Sequence, residues 1–272
     1  MAVGQEKNLE RTYIKNVLAT ASAAKADSLL TLKLQKLRQQ KLADSLLYYI
    51  TVMGYVKEKT DGLDASVTFA ERLFKEVLPQ LADPFYRHKA YMELAEVYDN
   101  ADRAQLNHES TLKALEEAKK VKDSTLIDFG HIYYNLGIQA VYLGDHQTGK
   151  KYQIKALKYY QQQPFDIEHL FNSYNGMGIV MWNEAKMDSS YYYFNMALET
   201  LQTAKDTLPL NNFYRPAMLQ SNMAVLQQAR GFPEESITLS KKVIEDYEKY
   251  IAISTDVTRK RSAIRLLGSS ID

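Results

Sequence analysis

Small and large apolar positions recur along this chain in a repeated block. Tyr133-Tyr134-Asn135-Leu136-Gly137 is followed by a break at Leu143-Gly144-Asp145-His146 and then by Lys155-Ala156-Leu157, which places the small residues Gly137 and Ala156 nineteen apart. The next segment repeats the arrangement: Tyr174-Asn175-Gly176-Met177-Gly178 leads through Met187-Asp188 to Phe194-Asn195-Met196-Ala197-Leu198. Tyr91-Met92-Glu93-Leu94-Ala95 pairs with Ala114-Leu115, Ser221-Asn222-Met223-Ala224 runs through Arg230-Gly231-Phe232-Pro233 to Val243-Ile244, and a weaker copy spans Gly54 to Leu73. Taking Gly54, Ala95, Gly137, Gly178 and Ala224 as equivalent gives steps of 41, 42, 41 and 46 residues. Two helices that cross closely need a small residue at the contact, and larger residues one turn away then fill the space between successive pairs.

Helix punctuation supports the same division. Asp83-Pro84 sets a capping carboxylate before a first-turn proline, and Phe232-Pro233-Glu234-Glu235 opens a helix with proline and two acids at its positive end. Gln163-Pro164 and Leu143-Gly144-Asp145 mark further breaks. Each repeat therefore reads as a helix of some eighteen to twenty residues, a tight turn and a second helix of similar length. Glycine (11) and proline (6) are scarce, and tyrosine (20) is abundant, which favours helices whose seams hold aromatic rings with hydroxyls reaching water.

This pattern resembles the tetratricopeptide repeat, in which an aromatic, a Leu-Gly pair, a tyrosine, a later alanine, an aromatic and another alanine recur at fixed places. Tyr174, Met177, Gly178, Phe194 and Ala197 match those places best, whereas Gly149 and Ser190 stand where the first later alanine is usual, Gln153 replaces an aromatic and Ala140 a tyrosine. The period exceeds the family's 34 residues by about seven or eight. Such stretched repeats resemble those of bacterial peptide-sensing regulators, kinesin light chains and the sensor regions joined to histidine kinases or caspase-like peptidases in Bacteroidetes; the linking stretch Ala118 to Leu126 looks most like that last group. The resemblance implies an all-α, right-handed superhelical solenoid of antiparallel helix pairs, the pairs covering residues 44–250. Residues 1–43 read as a helical cap or degenerate repeat, and 251–272 as the first helix of a further, truncated repeat opening at Arg265-Leu266-Leu267-Gly268, as if trimmed from a longer protein with an effector domain downstream.

Composition narrows the partners. Thirty-four basic and 33 acidic residues leave a net charge of +1, too little field for a nucleic-acid partner. No apolar run is long enough to span a bilayer, so no membrane contact is expected within the chain. The absence of cysteine excludes disulfides and thiolate chemistry. Met1 to Asn8 looks like a signal-cleavage remnant with a start methionine restored, and export to the periplasm and residence in the cytoplasm both stay open. Histidines 88, 108, 131, 146 and 169 show no metal spacing, and no phosphate loop or nucleophile elbow is present, so neither catalysis, metal nor cofactor is expected. Glu93, Glu96 and Asp99 share one helix face, which reads as a solvated acidic face rather than an acid-base or calcium site.

In a tetratricopeptide stack the first helix of each pair lines the concave groove. Positions three and two before the small residue, and one, four and five after it, select Tyr134, Asn135, Ile138, Val141 and Tyr142, then Asn175, Gly176, Ile179, Trp182 and Asn183, then Ser221, Asn222, Val225 and Gln228. Aromatics supply burial, and asparagines pair with backbone donors and acceptors alike, a chemistry suited to a protein or peptide ligand. Related sensors use groove asparagines in this way, which points to Asn135, Asn175 and Asn222, although an asparagine there also suits a bond to a neighbouring helix. Lys59 and Lys89 are the exceptions in a face otherwise poor in cations, so a clamp for a terminal carboxylate is disfavoured. The expected function is a non-catalytic protein- or peptide-binding scaffold, the sensor or interaction part of a larger protein. The alternative is a structural element that self-assembles, as a homo-oligomer, through its terminal repeat.

Overall fold

The computed structural model describes residues 13–14, 16–18, 20–163, 166–203, 208–254, 259–260, 263–264 and 266–267. The Met1 to Asn8 stretch, Pro164, and Arg265 and Gly268 of the expected final helix opening lie outside the described residues. Among the described residues the chain is helix and turn, with no strand. A first helix α1 (Ala23–Gln39) and a short α2 (Ala43–Leu46) precede helices joined two by two through tight turns. The pairs are α3 (Tyr49–Asp61) and α4 (Leu63–Val77), α5 (Pro84–Asn100) and α6 (Ala104–Ala118), then α9 (Ile167–Asn183) and α10 (Met187–Thr203), and α11 (Arg215–Ala229) and α12 (Pro233–Ile253); between them in the chain come α7 (Phe129–Tyr142) and α8 (His146–Gln161). The chain is thus an all-α array of antiparallel helix pairs. It divides into two compact units, the first ending at Leu143 and the second beginning at Gly144.

The repeat register is visible in what is buried. Nineteen residues after each small contact residue stand Leu73, Ala114, Ala156, Ala197 and Val243, none more than 1% exposed. Twelve residues after it stand Ser66, Asn107, Gly149, Ser190 and Ser236, all buried. The glycines show why bulk is excluded. A Cβ on Gly54 would meet Val97 Cγ2 at 2.9 Å and Ser66 Oγ at 3.3 Å, and one on Gly178 would meet the Phe194 ring at 2.4 Å. Gly178 therefore lies against Phe194, one turn before the Ala197 expected to face it.

Turns inside the pairs repeat as well. Asp102, Gly144, Ala185 and Gly231, each seven residues past the small residue, have φ of 55°, 85°, 56° and 85°, the left-handed conformation that ends a helix. At three of them the next residue's N–H bonds a carbonyl five residues back: Arg103 to Tyr98, Lys186 to Met181 and Phe232 to Gln227. Helix starts follow the expected caps. Asp83 accepts from Phe85 N ahead of Pro84, Asp145 accepts from Thr148 N, and Glu234 and Glu235 lie in the first turn of α12.

The helices are shorter than the eighteen to twenty residues expected. First helices have 13 to 17 residues and second helices 15 to 17, α12 alone reaching 21. The connections between pairs take up the difference: the stretch after α6 holds a 3-10 turn, Ser124–Leu126, capped by Asp123, and a π-helical turn, Leu210–Tyr214, precedes α11 at the 46-residue step.

In the first unit α1 lays Ala26, Leu30, Leu34 and Leu37 on a core shared with α3, α4 and α5, and turns its polar face outward. Ion pairs tie it down, Asp27 to Lys57 at 2.7 Å and Arg38 to Glu76 through two bonds of 2.6 and 2.7 Å. In the second unit Phe171, Phe194, Leu201, Leu219, Met223 and Leu226 join α9, α10 and α11. Tyr247 and Tyr250 of α12 form a further cluster with Ala217 and Ala263, against which Leu266 and Leu267 pack. Tyr247 and Tyr250 fill helix seams as the composition led us to expect, but at 1% exposure their hydroxyls do not reach water as expected.

Candidate functional site

The first helix of a pair has one face against its own second helix and others against its neighbours, so a single stripe is left toward solvent. On α9 that stripe runs Glu168, Asn172, Ile179 and Trp182, at spacings of four, seven and three residues, with Asn183 beside Trp182, all half-buried or exposed. Ile179 and Trp182 rest on the apolar cluster around Phe194 and remain partly open. Asn183 is exposed and donates from Nδ2 to the carbonyl of Ile179 at 2.9 Å.

On α11 Ser221 and Asn222 are half-buried, Gln228 is exposed, and Val225 is 58% exposed. Asn222 makes no side-chain hydrogen bond among the described residues, so both its donor and its acceptor are available.

Asn175 differs from the expectation. It lies on the same stripe of α9 yet is only 6% exposed, and its Oδ1 has no hydrogen-bond partner among the described residues. Its neighbour Gly176 is buried too, because the Gln153 amide of α8 occupies the space that a Cβ would need, 2.5 Å away. Neither residue is presented to solvent.

In the first unit the equivalent stripe of α7 holds Tyr134, Asn135 and Ile138, half-buried, and Tyr142, 70% exposed. Asn135 Nδ2 lies 3.2 Å from His131 Nε2, one turn earlier. Val141, counted with this stripe from its position, is instead buried. It follows Ala140 on the side of α7 that packs inward.

The acids of α5 have unequal roles. Asp99 Oδ1 accepts from Asn107 Nδ2 at 2.8 Å and from Gln139 Nε2 at 3.0 Å, so this carboxylate joins α5 to α6 and α7. The Glu96 side chain reaches solvent, but partial burial of its carboxyl and the charge of Asp99 raise its pKa. Among the described residues no group of three or more His, Cys, Asp or Glu is placed to hold a metal ion. Lys59 and Lys89, the cations anticipated near this face, lie over the rings of Tyr55 and Phe85 at 5.2 and 5.6 Å. Position alone did not single out Arg215, a cation 7% exposed whose guanidinium bonds Glu168 of the α9 stripe at 2.8 Å. Its signal in the sequence is limited to its place beside Pro216, at the start of a helix.

Burial rather than a reacting partner explains the strong proton-affinity shifts away from these stripes. His88 and Tyr247 both sit in helix seams, His88 pushed down to about 4 and Tyr247 pushed up, each chiefly by loss of water. What the stripes offer chemically is apolar and aromatic surface interleaved with amides. Among the described residues no helix is long and apolar enough to cross a membrane.

Known folds place this arrangement. No family model and no curated protein sequence matches the chain. Among solved structures it is similar to BtubC (BKLC) from P. vanneervenii, with 16% identity and a TM-score of 0.69 over 87% of this chain and 95% of that one. It is similar to PilF of Pseudomonas aeruginosa with 11% identity and a TM-score of 0.56, over 93% of this chain and 100% of that one. A chain of the APC/C hetero-tetramer Cut9-Hcn1 aligns with 15% identity and a TM-score of 0.55, over 90% of this chain and 46% of that one. These are tetratricopeptide proteins, and the fold of the present chain is of that type.

Proposed function

We propose that the chain is a non-catalytic scaffold that binds a protein or peptide through the solvent-facing stripes of its first helices, as the interaction part of a larger protein. One observation carries this reading. Ile179, Trp182, Asn183, Asn222 and Val225 in the second unit, like Tyr134, Asn135, Ile138 and Tyr142 in the first, are apolar, aromatic or amide side chains that the folded core leaves partly or wholly open. A stripe with no binding role is ordinarily charged on its outer positions. Here Val225 and Tyr142 stay largely in water, a cost that a partner covering them would recover. Asn222 offers amide donors and an acceptor for a partner's backbone, so the stripe can fix a chain as well as cover it.

Trp182 is the chain's single tryptophan and reports on the second unit directly. Random dodecapeptides displayed on phage should enrich on the wild-type chain, and an enriched peptide should change Trp182 emission on titration. Asn222→Ala combined with Val225→Asp should cut that binding by tenfold or more while circular dichroism stays unchanged. Absence of any enriched class that both changes Trp182 emission and is lost in the double variant would overturn the assignment to this stripe. No enrichment at all, together with a mass in light scattering that rises with concentration, would favour self-assembly instead.

A further inference from the structure

The first unit also carries a cleft that shares no residue with the stripe just described. A cleft of about 250 Å³ opens between α4 and α6, with α5 as its floor. Tyr91, Leu94 and Tyr98 of α5 form that floor together with Phe74 and Leu106. Two contacts hold it in shape: the Phe74 and Tyr91 rings lie 5.0 Å apart, and the Tyr98 hydroxyl donates to Glu71 Oε1 at 2.8 Å. The floor is therefore fixed before anything binds, and little ordering is left for a ligand to bring about.

The rim is charged in a definite order. Both α4 and α6 are second helices of their pairs and run the same way, and each contributes a glutamate followed four residues later by a lysine: Glu71 and Lys75, Glu109 and Lys113. The two carboxylates consequently flank one end of the cleft and the two ammonium groups the other, about one helical turn or 6 Å along. Tyr98 confirms which end is acidic, because the charges of both Glu71 and Glu109 add to burial and to the Glu71 bond in raising its pKa. The lysines are open to water. Lys75 is 77% exposed at 3.9 Å from Glu71, and Lys113 is exposed. Each carboxylate, though it already accepts one bond, from Tyr98 or from Gln105, keeps further acceptor sites.

We propose that this cleft is a docking site for a partner polypeptide that inserts one apolar side chain and presents a basic residue on one side of it and an acidic residue on the other. Size sets the anchor: the volume lies below the roughly 300–1,000 Å³ of sites that enclose whole drug-sized molecules, and suits one branched or aromatic side chain. Charge order sets the flanks, since a partner of uniform charge would meet repulsion at one end.

The test is a random-dodecapeptide display selection on the full chain, carried out in parallel on rim and floor variants. Wild type should enrich a class with Leu, Phe or Trp between a Lys or Arg and an Asp or Glu within four positions. Lys75→Glu combined with Lys113→Glu, two surface changes, should replace that class with peptides basic on both sides and weaken the original class by about tenfold or more in fluorescence anisotropy. Leu106→Glu should abolish both classes. Asn222→Ala with Val225→Asp should leave them unchanged, which separates this cleft from the first-helix stripe. Absence of a mixed-charge class on wild type, or a class that survives both the rim and the floor variants, would overturn the proposal.

Discussion

The Ser190 hydroxyl donates to the main-chain carbonyl of Gly178 at 2.8 Å, twelve residues back and on the facing helix of the same pair. The bond forms where Gly178 lies against the Phe194 ring; Ser66 likewise stands twelve residues after Gly54, and its Oγ would lie 3.3 Å from a Cβ placed there. A small residue on the first helix and a short polar one on the second thus let two helix backbones approach.

Gly178→Ala should destabilise the fold by about 1–3 kcal/mol, because the added methyl would meet ring carbons at 2.4 and 2.5 Å and Phe194 is too buried to swing aside. Urea unfolding measures it. Adding Phe194→Leu should recover part of the loss, giving a coupling of at least about 0.5 kcal/mol. Strictly additive losses would show that the two residues do not press on each other.

Ala185→Gly should have the opposite sign. Ala185 holds φ 56°, where a Cβ is strained, so glycine there should stabilise by about 0.5–1 kcal/mol. Gly231→Ala at the equivalent turn should cost a similar amount through conformation alone, since an added Cβ there meets nothing within 4 Å. Shifts of the urea midpoint in the same direction for both substitutions would refute this account of the turns.

His88 makes stability depend on pH. The ring is buried, and its Nδ1 lies 3.1 Å from the carbonyl oxygen of Ala114, which can only accept, so Nδ1 carries the hydrogen. Burial lowers its folded pKa to about 4, below the ordinary 6.5. Above about pH 6.5 both folded and unfolded forms are neutral and the residue adds no pH dependence. Between pH 6.5 and 4 the unfolded chain takes up a proton that the folded chain refuses, and stability falls by at most about 3 kcal/mol. His88→Asn, which keeps an amide donor near Nδ1, should flatten the stability profile in that window. An unchanged slope would remove His88 from the explanation.

Arg215→Ala should cost about 2–3 kcal/mol in calorimetry. Its guanidinium bonds the buried Asn211 Oδ1 at 2.5 Å and lies 5.2 Å from the Phe171 ring centre, so truncation removes a buried charge-assisted hydrogen bond and a packed cation. The partner Glu168 is 60% exposed, which makes the ion pair itself minor. Raising salt should therefore change wild-type stability far less than the substitution does. A salt effect of equal size would assign the stability to the ion pair instead.

The amino-acid sequence by itself determined the repeat. The spacing among Gly54, Ala95, Gly137, Gly178 and Ala224 reappears in the buried second-helix positions, because close helix crossing forbids bulk at points set by local geometry. The cap at Asp83, the break at Leu143-Gly144-Asp145 and the proline start of α12 were equally legible, since a capping bond or a turn spans only a few residues. Helix length was not, as Asp123, Ile127 and the π-helical turn before α11 divert residues into connections that helical periodicity does not reveal.

Only the tertiary structure decided which stripe residues stay open. Asn175, three before its small residue, and Asn222, two before its own, were both assigned to the stripe by position, yet one is enclosed and the other half-open, because the cover comes from helices far along the chain. Asp99 read as a surface acid until its bond to Gln139, 40 residues away, gave it a joining role. The cleft between α4 and α6 exists only because three helices are brought together, and its two-signed rim draws a glutamate and a lysine from each of two helices far apart in the chain. Periodicity fixes which face a residue occupies on its own helix, whereas burial and charge order across helices depend on non-local packing that no window of sequence contains.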